Sequence, residues 1–371
     1  MRKILLFAGA VLALAVSCTK TQVEEPGQEI AFQVARYKGV TKANEDYKDN
    51  YESVPFGAYA WYKGVNAADN TTFMTNQKVS YNASKTAWMP EGTTYYWPKT
   101  GALDFICYSP YTADGSNAPM PAITEDGFSY PAWDVNAHPD VDVMYADKVT
   151  GLTNNTTTYY YNGVPTLFHH ALAKVSFQIK AAYLEKTADT GDKTRWEITV
   201  SSIVLKDILT SGSLSLTLNP DGTWAKPDVW TSDGSKSDMN LDVTSLGALN
   251  GSAQSLDSNV YVLPQSLNNG QQVELTVTIK TYRDLNDGNG EQLVLTETDV
   301  PISALLSGGS LDKWGINQNI TYSFNLAPSL GTGTGTDLDG DGIEDVEPTI
   351  VYFDPAVGEL ENITVNAGIN L

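Results

Sequence analysis

Cysteine is nearly missing from this chain: there are two in 371 residues, Cys18 and Cys107. With Cys18 placed at the end of an N-terminal apolar run, an intramolecular disulfide is not expected, and a packed core must supply the stability. Histidine is almost as scarce, with three in all, which leaves little for histidine-based acid–base chemistry or a zinc site. Basic residues are outnumbered, 23 Lys plus Arg against 44 Asp plus Glu, for a net charge of -21. So acidic a surface repels nucleic acid and anionic membranes, and neither is expected as a partner. Long helical periodicity is missing too, and no Gly-rich phosphate loop, serine nucleophile elbow or paired-carboxylate framework stands out. An enzyme is therefore not expected.

What is present begins at the N-terminus. Met1 to Ser17 opens with Arg2 and Lys3, runs apolar from Ile4 to Val16, and ends in small residues before Cys18. The run is too short and too early to span a membrane as a helix and reads as an export signal, residues 1–17. Leu14-Ala15-Val16-Ser17-Cys18 is a relaxed lipobox, with its leucine one place further out than in the commonest pattern. Cys18 is thus expected to be acylated as the first residue of the mature chain; an ordinary cleaved signal with an incidental cysteine is the alternative. Acyl chains supply about 0.8 kcal/mol per buried methylene, so several of them hold a protein on a membrane without a spanning helix. Residues 18–27 are polar and read as a tether.

Beyond the tether the dominant signal is period-two alternation. In "HALAKVSFQIK" Val175, Phe177 and Ile179 point one way, while Lys174, Ser176 and Gln178 point the other. "QVELTVTIKTY" repeats the pattern with Val273, Leu275, Val277 and Ile279 inside. "SLSLTLNPDGTW" adds Leu214, Leu216 and Leu218 and then a reversal at Pro220-Asp221-Gly222. "WEITVSSIVL", "EQLVLTETDV" and "ITYSFNLAP" are further strands, and short helices are expected only around Val243 to Leu249 and Pro301 to Leu306. This is the pattern of an all-β chain of antiparallel strands, most economically two packed sandwiches. Aromatics, prolines and long loops fill residues 28–165 and regular strands fill 166–371, so the boundary is expected near Pro165.

Several constellations invite chemistry. "DLDGDGIEDVE" sets Asp337, Asp339 and Asp341 at alternate positions, then Gly342 at a sharp turn, the Ile343 carbonyl, and Asp345 two further on. Oxygen donors in that order suit calcium, although Pro348 stands where a closing bidentate glutamate would be needed. A solvated acidic linker, residues 331–348, is the alternative. His169 and His170 enter an alternating strand, where consecutive side chains face opposite ways, so they are expected to be packed or hydrogen-bonded. Cys107 has no basic neighbour to activate it and is expected to be an inert core residue. Trp61, Trp88, Trp97 and Trp133, with Tyr159, Tyr160 and Tyr161, are more readily core than a platform for sugars.

Taken in order, the lipobox, "IAFQVAR" followed by "TKA", "YYWPKTGALDFICYSPY", "LFHHALAKVSFQIK", "VYVLPQ" and the terminal "IVYFDPAV" resemble the fimbrillin family of Bacteroides-type bacteria, the subunits of type V pili. The resemblance covers nearly all of the mature chain. It implies two transthyretin-like β-sandwich domains in tandem, export as an outer-membrane lipoprotein, cleavage at the surface by a trypsin-like protease, and polymerisation with other pilin subunits by strand exchange, serving adhesion to a host or bacterial ligand. The residues suit that mechanism. "EIAFQVAR" is a short strand with Ile30, Phe32 and Val34 on one face, and it ends at Arg36, the best basic residue for cleavage, with Lys38 and Lys42 nearby. Removing residues 29–36 would leave a groove that another subunit's strand could fill. Residues 349–371 are the candidate donor, with Ile350, Tyr352, Val357, Ile363, Val365 and Ile369 as inward-facing positions; alternatively they are the last strands of this chain's own second sandwich. The functional alternative is a monomeric surface lipoprotein that binds glycans. No cofactor is expected apart from the calcium ion.

Overall fold

The computed structural model describes residues 28–34, 53–116, 119–153, 163–182, 184–188, 190–257, 260–268, 270–308 and 311–328, together with the backbone of 348–359. Among these residues the chain is all-β, with a short 3-10 turn at Ala67–Asp69. The alternating segments became strands because each has one apolar face to bury. In Ala173–Ala181, Val175, Phe177 and Ile179 are buried, while Lys174, Ser176 and Gln178 are not. In Gln272–Asp284 the buried set is Val273, Leu275, Val277 and Ile279.

The strands form sheets of nine, five, five, four and two strands. The nine-stranded sheet runs in the order Val164–Thr166, Phe32–Val34, Ala87–Pro90, Thr71–Asn82, Phe56–Lys63, Ala102–Ser109, Met144–Ala146, Phe168–His170, with Val149–Leu152 also on Ala102–Ser109. Its apolar face closes on a core drawn entirely from its own half of the chain, Ile30 to Phe168. Strand Ala102–Ser109 is covered on both faces. Leu103, Phe105 and Cys107 enter this first core, while Ile106 and Tyr108 enter a second.

The second core is larger. One five-stranded sheet gives it Val175, Phe177 and Ile179 with Ile320, Tyr322, Phe324 and Leu326, from strands that run parallel. The other gives it Trp196, Ile198, Ile203 and Leu205 with Val273, Leu275, Val277 and Ile279, from strands that run antiparallel. Two sheets that share one core in this way make a sandwich. A four-stranded sheet stitches the two halves together, because Gly127–Asp134 pairs with Ser211–Leu218, setting Tyr130 opposite Leu214 and Phe128 opposite Leu216. An indole from the later half strengthens the seam, Trp224 Nε1 donating to the Ala146 carbonyl at 2.9 Å, and Trp230 Nε1 donates to the Ala171 carbonyl at 2.8 Å within the later half.

Two expected helices are not there. Pro301 to Leu306 falls in strand Gln292–Leu305, with Pro301 opposite Thr276 and Ile302 opposite Leu275. That strand is the outer edge of its sheet, where proline's missing N–H is tolerated, and the burial of Ile302 outweighs a local helical turn. Val243 to Leu249 is a turn. The Thr244 N–H donates to Asp242 Oδ1 at 2.9 Å, an aspartate-capped reversal that competes with helix, and the Leu249 N–H then docks on the Ile198 carbonyl at 2.8 Å.

The second core has an alkaline signature. Burial pushes the phenols of Tyr108, Tyr130, Tyr145 and Tyr322 well above their ordinary value of 10.0. A phenol raised on folding gives its full stabilisation below its unfolded value and loses it as the pH climbs toward the folded one, because only the unfolded chain ionises readily. Each ring can withdraw up to about 1.4 kcal/mol per pH unit in that window. In an alkaline titration, phenolate absorbance from these rings should appear together with loss of the β-sheet circular dichroism signal. Ionisation at the ordinary value with the sheet signal intact would contradict the packing.

Candidate functional site

The segment that precedes Arg36 occupies a slot in the nine-stranded sheet. Its alternation decides how it sits: Ile30 and Phe32 are 0% and 1% exposed, whereas Gln33 between the neighbouring positions is exposed. Phe32 packs edge-on against Phe56, with ring centres 5.6 Å apart, and against Phe105 at 5.7 Å. Trp88 and Phe168 close the same wall around Phe56.

The backbone is held from both sides. Phe32–Val34 runs parallel to Val164–Thr166, with Phe32 opposite Val164 and Val34 opposite Thr166, and antiparallel to Ala87–Pro90, with Phe32 opposite Trp88. The Val164 N–H donates to the Ala31 carbonyl at 2.7 Å, and the Ile30 N–H donates to the Tyr95 carbonyl at 2.8 Å. The Trp97 N–H donates to the Gln28 carbonyl at 3.0 Å, so the grip extends to the start of the described segment. Glu29 forms an ion pair with Lys85; both side chains are largely exposed, so the pair adds little. Full burial of two large apolar side chains is worth roughly 3 to 6 kcal/mol before ordering costs. The arrangement holds an extended strand by backbone ladders on both sides and by two buried side chains.

Other predicted residues are scattered. Cys18, Arg36, Asp337, Asp339, Asp341, Ile343, Asp345, Ile363, Val365 and Ile369 lie outside the described residues, as do Lys38, Lys42 and Tyr159 to Tyr161. Ile350, Tyr352 and Val357 fall in strand Pro348–Glu359, which pairs antiparallel with Gln318–Pro328 of the same chain at the edge of a five-stranded sheet. There Ile350 stands opposite Leu326, Tyr352 opposite Asn325 and Val357 opposite Ile320. The groove and this strand belong to different sheets.

The remaining polar groups of interest are structural. His169 Nε2 meets Asp147 Oδ1 at 2.9 Å and His170 Nδ1 meets Asp142 Oδ2 at 2.5 Å, so the two histidines address different carboxylates. Cys107 is buried in the first core, and burial pushes its thiol far above the usual range, against a weaker opposing hydrogen bond from Thr166. Trp88 and Trp133 are buried, while Trp61 and Trp97 are partly buried against the second and first cores. Among the described residues no group of three or more His, Cys, Asp or Glu gathers where a metal could sit. The sequence reading named Ile30 and Phe32 through their spacing but missed the walls that receive them, Phe56, Phe105 and Gly163. A Phe-Gly-Ala-Tyr-Ala run with small residues on one face was the available signal for Phe56.

Comparison with known proteins gives a family. A family model described as Fimbrillin-like matches residues 41–340. Among solved structures, a candidate cell adhesion protein from Bacteroides uniformis is similar at 16% identity and a TM-score of 0.47, over 90% of this chain and 98% of that one. A candidate cell adhesion protein from Bacteroides ovatus is similar at 15% identity and a TM-score of 0.41, over 90% and 99%. A candidate adhesin from Bacteroides thetaiotaomicron is similar at 9% identity and a TM-score of 0.33, over 91% and 100%. No curated sequence matches. On the family match, which spans most of its length, the chain belongs to the fimbrillin-like family.

Proposed function

We propose that this chain is a structural subunit of a surface fimbrium, exported as a lipoprotein through Cys18 and cut after Arg36 by a trypsin-like protease. It then polymerises by accepting a neighbour's strand in the groove that residues 28–34 fill. One observation carries this reading: the segment just upstream of Arg36 is a strand with Ile30 and Phe32 deeply buried, held in a sheet by neighbours on both sides. Cutting there leaves a strand that the first core needs held by non-covalent contacts alone, while the second core includes no residue of it. The subunit would stay folded as that strand is displaced, and an apolar slot with backbone groups left unpaired favours capture of a new strand.

The finer architecture in this reading is two transthyretin-like sandwiches in tandem, divided near Pro165 and sewn together by the four-stranded sheet. Residues 349–371 are the donor. Strand Pro348–Glu359 pairs on one side only, so its release breaks a single ladder. The solved neighbours carry adhesion in their descriptions, which agrees with an adhesive role at the cell surface. No helix among the described residues is long and apolar enough to cross a membrane, and lipid on Cys18 would provide the hold before cleavage. The monomeric glycan-binding alternative draws no support from Trp88 and Trp133, which are buried.

Mass spectrometry of the protein shaved from producing cells tests the processing step. The expected mature form begins just after Arg36 and lacks the acylated N-terminus; a surface form that keeps lipidated Cys18 and remains single would overturn the reading. The loop from Asp337 to Asp345 makes a separate prediction, because its alternating carboxylates repel one another until a cation sits between them. Calcium should raise the melting temperature of the purified chain, and a chelator should reverse the rise. An unchanged melting curve would assign the loop to a solvated linker.

A further inference from the structure

The groove contains a glycine whose nearest obstacles to a side chain are the backbone atoms of its occupant. Gly163 immediately precedes strand Val164–Thr166, along which residues 32–34 run. Its φ is not in the left-handed region, so its φ does not itself call for glycine. A Cβ on Gly163 would nonetheless lie 2.7 Å from the Ala31 carbonyl oxygen, 2.9 Å from the Ala31 carbonyl carbon and 2.9 Å from that of Phe32. All three are backbone atoms, which a rotamer change cannot move aside. The next residue, Val164, donates its N–H to that same Ala31 oxygen at 2.7 Å, so retreat of the strand would cost a ladder hydrogen bond.

We infer that Gly163 is the positioning residue of the groove: it lets a strand backbone press flat against the edge formed by Val164–Thr166 and so sets the depth at which the Ile30 and Phe32 side chains enter their pockets. Any strand following the same path meets the same floor, whatever its side chains. Gly163 therefore admits a main chain, and the wall of Phe56 and Phe105 selects a bulky side chain. For pilus assembly this inference rests on the strand-exchange reading; for the seating of residues 28–34 it stands on geometry alone.

The test uses the full chain with Gly163→Ala and Gly163→Val, and with Gly251→Ala as a control, because a Cβ at Gly251 meets nothing within 4 Å. Hydrogen exchange should quicken at the amides of Ile30 and Val164 by about tenfold or more, and more for valine than for alanine, as overpacking against fixed atoms demands. Exchange in Ala173–Ala181 and Gln272–Asp284 should stay as in the wild type, which shows that the chain still folds. Unchanged exchange at Ile30 and Val164 would overturn the inference. In producing cells, Gly163→Val should be cut after Arg36 yet fail to polymerise. Polymers as abundant as those of the wild type would remove Gly163 from the assembly step and leave strand exchange standing. If the wild type itself does not polymerise, the exchange reading falls, and the hydrogen-exchange result alone decides the role of Gly163.

Discussion

The burial of Ile30 and Phe32 is the contact on which the rest depends. Every other buried member of their core lies between Phe56 and Phe168, so the leading segment is a guest in a cavity that later residues build. It brings two large side chains and a short ladder, and these hold it in the sheet. A strand in mid-sheet would normally be a permanent fixture. The proposed exchange requires it to be replaceable, and its place beside the short outer strand Val164–Thr166 limits what a replacement would disturb.

Separation of the two cores would confine the effect of such a replacement to one of them. Stability in a protein is not uniform, and a unit that loses part of one core can remain folded in another. The larger core rests on long ladders, Lys193–Leu209 with Gln272–Asp284 and Ala173–Ala181 with Gln318–Pro328, and on stacked aromatic rings such as Phe177 and Tyr322. The seam from Gly127–Asp134 to Ser211–Leu218 ties the vulnerable half to it. A net charge of -21 adds long-range repulsion between copies, which disfavours casual association.

Much of this was legible in the sequence because a sheet with one buried face must alternate. Val175, Phe177 and Ile179 showed it, and so did Ile30 and Phe32. What escaped was decided by distant partners. Pro301 to Leu306 looked locally helical, yet Leu275 across the sheet pulled it into a strand. Gly163 left no trace, since nothing in its own neighbourhood demands glycine; the demand comes from the backbone of Ala31. The pairing of Gly127–Asp134 with a strand from the other half was equally hidden, because an alternating pattern reports a buried face and is silent about which strand lies alongside.

The most direct measurement is native mass spectrometry of the purified chain after limited cleavage at Arg36, with a synthetic peptide of residues 349–371 added in excess. The account predicts that the leading fragment remains bound after the cut, that the peptide displaces it, and that the cut chain then carries one peptide per molecule. A cut chain that sheds its fragment, stays folded and monomeric, and captures no peptide would contradict it.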